Sequence, residues 1–252
     1  MSEPAVVHGP RTVVVTGGGR GIGRATCLAA ARDGWAVCVD YARDAASAEA
    51  VAAEIRAAGG TALAVQADVA EEADVVRLFQ TVDRELPPLG GLVNNAGVVD
   101  RAARVEQIDR ARLERIFAIN VYSVFACCRE AVRRLKGRGG SIVNVSSVAA
   151  RLGAPGQYVD YAATKGAIDT FTTGLALELA GDGIRVNAVR PGIIATDIHA
   201  SGGQPDRALR LAPGIPMPRP GTAEEVAEAI VWLLSERASY STGAVLDVSG
   251  GR

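Results

Sequence analysis

The sequence predicts a single α/β domain on one doubly wound parallel sheet of about seven strands, with helices on both faces. Three observations carry this. Runs such as Thr12–Val15 and 142–145 are continuously apolar rather than alternating, the pattern of strands buried on both faces. Helical patterns separate the strand runs along the whole chain. A glycine-rich string stands between the first strand and the first helix, where such sheets take their ligands.

The first strand, Thr12–Val15, runs into Thr16-Gly17-Gly18-Gly19-Arg20-Gly21-Ile22-Gly23, and a helical pattern continues to Asp33. Glycine permits a tight turn and a close backbone approach, and a helix N-terminus offers unpaired N–H groups and a positive dipole end. With a strand before it and a helix after it, the string reads as a pyrophosphate cradle involving Gly17, Arg20, Gly21, Ile22 and Gly23.

The second strand, 36–40, ends in Asp40 and is followed by Tyr41, Ala42 and Arg43. At this edge a carboxylate suits a free ribose 2′-OH, whereas an arginine accommodates a 2′-phosphate. Asp40 offers the first; Arg20 and Arg43 offer the second. Asp40 falls one residue before the place of a ribose-reading carboxylate, which Tyr41 occupies, so NADP is favoured over NAD.

Residues 45–58 read as a surface helix closed by Gly59 and Gly60, and 62–67 as the third strand. Asp68 and Val69 stand at its carboxyl edge, Asp68 placed to meet an adenine amino group or to cap a helix at 71–85. A short strand at 91–93 leads to Asn94-Asn95-Ala96-Gly97, of which Asn94, Ala96 and Gly97 are expected to line a cofactor cleft. One long helix over 109–135 buries Leu113, Ile116, Phe117, Val121, Val124, Phe125 and Cys128. Asn120 lies on or beside that stripe, either a structural amide or part of a proton relay.

Strand 142–145 passes through Ser146, Ser147 and a Gly/Pro loop to a helix over 161–180. Strand 184–189 leads into Pro191, Gly192, Ile194 and Thr196. Residues 198–221 are so dense in glycine and proline that they read as a substrate loop rather than a linker. A capped helix at 222–235 and a strand at 244–248 complete the chain. Residues 11–252 show no internal boundary, and 1–10 read as a disordered lead-in, neither a signal nor a transit peptide.

Composition narrows the function classes. The 252 residues are 48% hydrophobic with a formal net charge of −1, which gives no reason to expect nucleic acid or anionic membrane as partner. No apolar run approaches the roughly 18–20 residues that span a bilayer. Cys27, Cys38, Cys127 and Cys128 form no C-x-x-C and read as small buried hydrophobes in a reducing cytoplasm; no metal site is expected.

Tyr161 and Lys165 are four residues apart, hence stacked on one helix face. A neighbouring ammonium favours the phenolate and is expected to lower the Tyr161 pKa, making a phenol that can give a proton to a carbonyl oxygen or take one back. A serine at the end of the preceding strand can hydrogen-bond the same oxygen. The bland alternative is an ordinary helix-surface pair.

In order and spacing, these pieces resemble the classical short-chain dehydrogenase/reductase family over nearly the whole chain. The matching marks are Thr-Gly-x-x-x-Gly-x-Gly at 16–23, Asp68-Val69, Asn-Asn-Ala-Gly at 94–97, Asn120, the serine before the loop, Tyr161-x-x-x-Lys165, and Pro191-Gly192 through Thr196. The resemblance implies a Rossmann-type fold and a tetrad. Tyr161 would be acid/base and Ser147 the carbonyl partner; Lys165 would bond the nicotinamide ribose and Asn120 anchor a water; Ile194 and Thr196 would hold the carboxamide. Ser147 lies fourteen residues before Tyr161 where the family more often has thirteen, read as an extra residue at 157–160, with Ser146 as the alternative.

The resemblance further implies an oxidoreductase acting on a ketone or secondary alcohol, similar to 3-oxoacyl carrier-protein reductases and glucose-dehydrogenase-like members. It also implies a homotetramer pairing the helices at 109–135 and 161–180. The substrate pocket is expected to include Ser147, Tyr158 and the 198–213 loop, with His199 as a lining residue or a plain loop histidine. A non-catalytic NADP-binding sensor is the rival reading; the presence of Tyr161, Lys165 and Ser147 argues against it.

Overall fold

The computed structural model describes residues 9–198 and 202–252; His199 and the first eight residues of the expected lead-in lie outside them. Seven strands form one sheet: β1 (Thr12–Val15), β2 (Ala36–Tyr41), β3 (Ala62–Gln66), β4 (Leu89–Asn94), β5 (Gly140–Val145), β6 (Ile184–Pro191) and β7 (Val245–Val248). Their order is β3-β2-β1-β4-β5-β6-β7, and every pairing is parallel. The chain order reverses between β1 and β4, and the carboxyl ends of the strands flanking that point face a common crevice.

Helices cover both faces. Apolar residues of α1 (Gly21–Arg32) and α2 (Ala45–Ala57) pack with Val13, Val15, Val37 and Val39 on one side. On the other, α3 (Glu72–Glu85), α5 (Ser123–Leu135) and α7 (Val159–Leu179) pack on Val14, Leu92, Ile142 and Val186. Alternate residues of one strand thus serve opposite cores, which is why the strand runs are apolar throughout. All four cysteines are buried and free.

The helix expected over 109–135 is not continuous. It divides into α4 (Arg110–Phe117), a π turn (Ala118–Tyr122) and α5. In the π turn the Ser123 N–H reaches the carbonyl of Ala118, five residues back, which inserts an extra residue and rotates α5 relative to α4. Ile116, Val121, Val124 and Cys128 are buried as expected, but Leu113 and Phe125 are exposed. Asp68 does not cap α3: its carboxylate accepts from Ala70, two residues on, and its own N–H bonds to the Asp74 carboxylate.

A short helix α6 (Ala149–Leu152) succeeds β5. The substrate segment after β6 carries α8 (Arg207–Leu211) and a single 3-10 turn (Ala212–Gly214), so it is a folded flap rather than an open loop. Helix α9 (Ala223–Leu234) begins with the expected cap, a reciprocal pair in which Thr222 Oγ1 accepts from Glu225 N–H and the Glu225 carboxylate from Thr222 N–H.

Candidate active site

The glycine loop leaves β1 through Thr16, whose Oγ1 accepts from the amides of Asn95 and Ala96, both at 3.0 Å. The Asn95 side-chain amide returns two bonds, to the carbonyls of Thr16 (2.8 Å) and Gly17 (3.1 Å). The loops after β1 and β4 are therefore stapled together at the reversal point. Gly17 and Gly21 have φ of +62° and +53°, open to glycine at little cost. Gly23 plays another part: a Cβ there would lie 2.3 Å from the Gly17 carbonyl, so it serves the packing of the turn rather than an open surface.

The start of α1 carries neither a side-chain cap nor an acidic residue in its first turn. Its N–H groups and dipole end are left facing the loop, the arrangement that receives a phosphate. Arg20 and Arg43 are both exposed beside it.

Asp40 does not face the crevice. It is 2% exposed, beneath the glycine loop, where Oδ2 accepts the Gly17 amide at 3.1 Å. Burial raises its carboxyl to about 7, against the pull of the Gly17 bond. The ribose-binding option for Asp40 is thereby corrected: its side chain is used within the fold, and half-buried Tyr41 stands next along the chain.

The motif after β4 needs a similar correction. Asn94 is buried, its amide donating to Asn144 Oδ1 at 2.8 Å and to Cys128 Sγ at 3.3 Å, so its side chain ties β4 to β5 and does not line a cleft. Asn95 lines the cavity instead, as does Gly97. Val69 likewise turns its side chain into the core.

At the carboxyl ends of β5 and β6 the structure encloses a cavity of about 530 Å³. Ser147, Tyr161, Lys165, Ile22, Gly97, Pro191, Gly192, Ile194 and Thr196 all line it, as does Tyr158 at the start of α7. Ser147 Oγ accepts the Ala149 N–H at 3.1 Å and stands near enough to the Tyr161 phenol to act downward on its pKa. Ser146 turns back to the Lys165 carbonyl at 3.2 Å, so of the two serines Ser147 is the one that acts on the phenol. The connection from β5 to α7 turns through left-handed Gly153, Ala154 and Gly156. A buried two-pronged ion pair then secures the head of α7: Arg112 Nε and Nη2 donate to Asp160 at 2.6 and 3.2 Å, beside Tyr161.

The electrostatics depart from the sequence expectation. Lys165 does not lower the Tyr161 pKa in this geometry; burial raises it, and only the Ser147 bond acts downward. Lys165 Nζ donates to the Val145 carbonyl at 2.7 Å and stands 5.7 Å from the Tyr161 ring centroid. Burial takes the ammonium itself down to about 8, Asp169 opposing. Phenol and ammonium share one desolvated wall, and desolvation disfavours the charged form of each.

Asn120, 1% exposed, sits in the π turn. Its Oδ1 accepts from Val98 N–H at 2.8 Å, and its Nδ2 donates to the Val98 carbonyl at 2.9 Å and to Thr164 Oγ1 at 3.2 Å. These bonds clamp the segment after Gly97 against α7.

Comparison with known proteins agrees with this layout. Residues 17–252 match the family model described as enoyl-(acyl carrier protein) reductase. An uncharacterized oxidoreductase of Escherichia coli, YgfF, is 55% identical over 243 residues, covering 95% of this chain and 98% of that protein. A 3-oxoacyl-[acyl-carrier-protein] reductase of Synechocystis is 41% identical over 246 residues, 96% of each. A crystal structure of a dehydrogenase/reductase from Sinorhizobium meliloti superposes with TM-score 0.89 at 34% identity, over 96% of this chain and 94% of that one.

The chain belongs to the short-chain dehydrogenase/reductase family. It is an NAD(P)-dependent oxidoreductase of that family, acting with a nicotinamide cofactor on a small-molecule substrate. The residues present fit such a cofactor. Gly17 and Gly21 take the positive φ of a tight turn, the uncapped α1 start supplies donors, and a Cβ at Gly21 would lie 3.4 Å from Thr196 Cγ2, which places the cradle beside the cavity. Thr16, Asn95 and Arg207 are not among the residues singled out by sequence; the first two stand inside recognisable motifs, whereas nothing local marks Arg207.

Proposed function

We propose that this enzyme interconverts a ketone and a secondary alcohol with NADP(H), Tyr161 serving as general acid/base. The observation that carries the reading is the convergence of Ser147, Tyr161 and Lys165 on one cavity that Ile194 and Thr196 border on the cofactor side. When bound, the dinucleotide supplies or takes the hydride at the carbonyl carbon. Tyr161 Oη delivers the matching proton to the carbonyl oxygen, or removes it from the alcohol. Ser147 Oγ, which lines the cavity beside the phenol, holds that oxygen within reach. The Lys165 ammonium would hydrogen-bond the cofactor's ribose and would offset developing phenolate charge once substrate closes the site. Asn120 keeps the segment from Gly97 to Val98 in place beside them.

NADP is favoured over NAD because the carboxylate that would read a free ribose, Asp40, is turned under the loop, while Arg20 and Arg43 are exposed at the same edge. A homotetramer through α5 and α7 belongs to the same reading; it is supported by exposed Tyr122 (63%), Phe125 (50%) and Leu177 (78%) on that face. Reduction of a 3-oxoacyl carrier-protein substrate is the second reading, favoured by the activity for which the Synechocystis relative is named. The test is loss of NADPH absorbance against β-keto thioesters, diketones, quinones and sugars. Turnover of one carbonyl class supports the proposal, and tight cofactor binding with no turnover of any would favour the sensor reading.

A further inference from the structure

The outer wall of the cavity carries a cation that the proton-transfer machinery does not use. Arg207, at the start of α8, is half-buried and lines the same cavity as Tyr161. Its guanidinium stacks over the Tyr158 ring at 5.1 Å, and Nη1 donates to Gln157 Oε1 at 2.5 Å. These partners are neutral. Among the described residues no carboxylate forms an ion pair with Arg207, whereas Arg210 and Arg219 in the same segment each have one. Its charged neighbours are Arg210 and Arg252, both cations; of the acids in the flap, Asp206 faces Arg210 at 4.0 Å.

A partly desolvated guanidinium without a counter-ion keeps charged donors that an anion can complete. Its fork geometry matches a carboxylate. Leu152, Pro155, Ile198 and Leu211 give the same cavity apolar lining. We propose that Arg207 is a specificity residue that receives the carboxylate of the substrate, so that the carbonyl compounds preferred here are oxo acids with a short apolar spacer. This rests on the reductase reading above and narrows its substrate class. The alternative is that Arg207 merely fastens the flap through Gln157 and Tyr158.

The test uses NADP⁺-saturated protein and two measurements. In the first, calorimetric titration compares hexanoate with hexan-1-ol, for wild type, Arg207→Gln and Arg207→Lys. The expected result is tighter binding of hexanoate by wild type, an advantage reduced roughly 10- to 100-fold in Arg207→Gln, as for loss of a charged hydrogen bond, and partly kept in Arg207→Lys. In the second, the ratio of kcat/KM for levulinate to that for methyl levulinate should fall by a similar factor in Arg207→Gln, through KM. Hexanoate binding no tighter than hexan-1-ol, or a loss shared equally by acid and neutral probes, would overturn the proposal. Absence of turnover with both ketones, while hexanoate keeps its Arg207-dependent advantage, would sink the reductase reading and leave the anion site standing.

Discussion

Asp40 supports the glycine loop from beneath: its Oδ2 accepts the Gly17 amide at 3.1 Å, while its Oδ1 is buried without a partner. Its carboxyl, raised to about 7 by burial, lies above the ordinary value of 3.8. The folded state therefore holds the extra proton between those values, and the contribution to stability declines as pH rises through that window. Asp40→Asn keeps an acceptor for Gly17 and removes the charge. We expect it to be more stable than wild type at pH 8, by roughly 1–3 kcal/mol, with little difference near pH 4. Urea titrations at the two pH values check this; an equal offset at both would contradict it.

Lys165 gives the opposite sign. Its folded pKa, about 8, is below the ordinary 10.5, so the unfolded chain binds the additional proton between them. The charged form is disfavoured below pH 8, and Lys165's contribution to stability rises as pH increases from about 8 to 10.5. Lys165→Met should accordingly stabilise the protein near pH 7, on the order of 1–3 kcal/mol, and lose that advantage by about pH 10. Urea titrations at the two pH values measure this. The same variant should lose turnover, so stability and activity part company at one residue.

Asn120 holds Val98 by both its backbone groups. Asn120→Ala leaves those partly buried groups without their partner, which costs about 1 kcal/mol or more. The midpoint of denaturation should fall accordingly, and amide exchange at Val98 should rise more than in α1 or α2. Uniform acceleration across the sheet would mean that the clamp acts globally instead.

Cofactor choice is tested at the exposed arginines. Arg20→Ala with Arg43→Ala should lower kcat/KM for NADPH about tenfold or more and leave NADH nearly unaffected, since each charged hydrogen bond to a phosphate contributes about 1.5–3 kcal/mol at full strength. Equal losses with both cofactors would show that the arginines act on the loop and not on the 2′-phosphate.

Much of this architecture is legible locally. The strands are apolar runs, α9 announces itself through Thr222 and Glu225, and Tyr161 and Lys165 share a face by spacing alone. The features that escape a sequence reading depend on distant contacts. The π turn brings Asn120 to Val98, 22 residues away, and no residue pattern within 118–122 encodes that partner. Two adjacent asparagines differ only in register: Asn94 points along β4 into the Asn144 bond, and Asn95 leaves the strand to join Thr16. The direction of the Tyr161 shift depends on how deeply α7 sinks beside β5, and Arg207 reaches the cavity only because α8 folds back over Tyr158.

The most direct test of the central proposal is NADPH oxidation with a ketone substrate by Tyr161→Phe, beside calorimetric binding of NADP⁺. Removing one hydroxyl leaves the cavity shape and the Lys165–Val145 bond in place. We expect turnover to fall by roughly 10²-fold or more, the usual contribution of a positioned acid/base group, with NADP⁺ affinity within about threefold of wild type. Turnover retained at the wild-type level would contradict the assignment of Tyr161 as the proton donor.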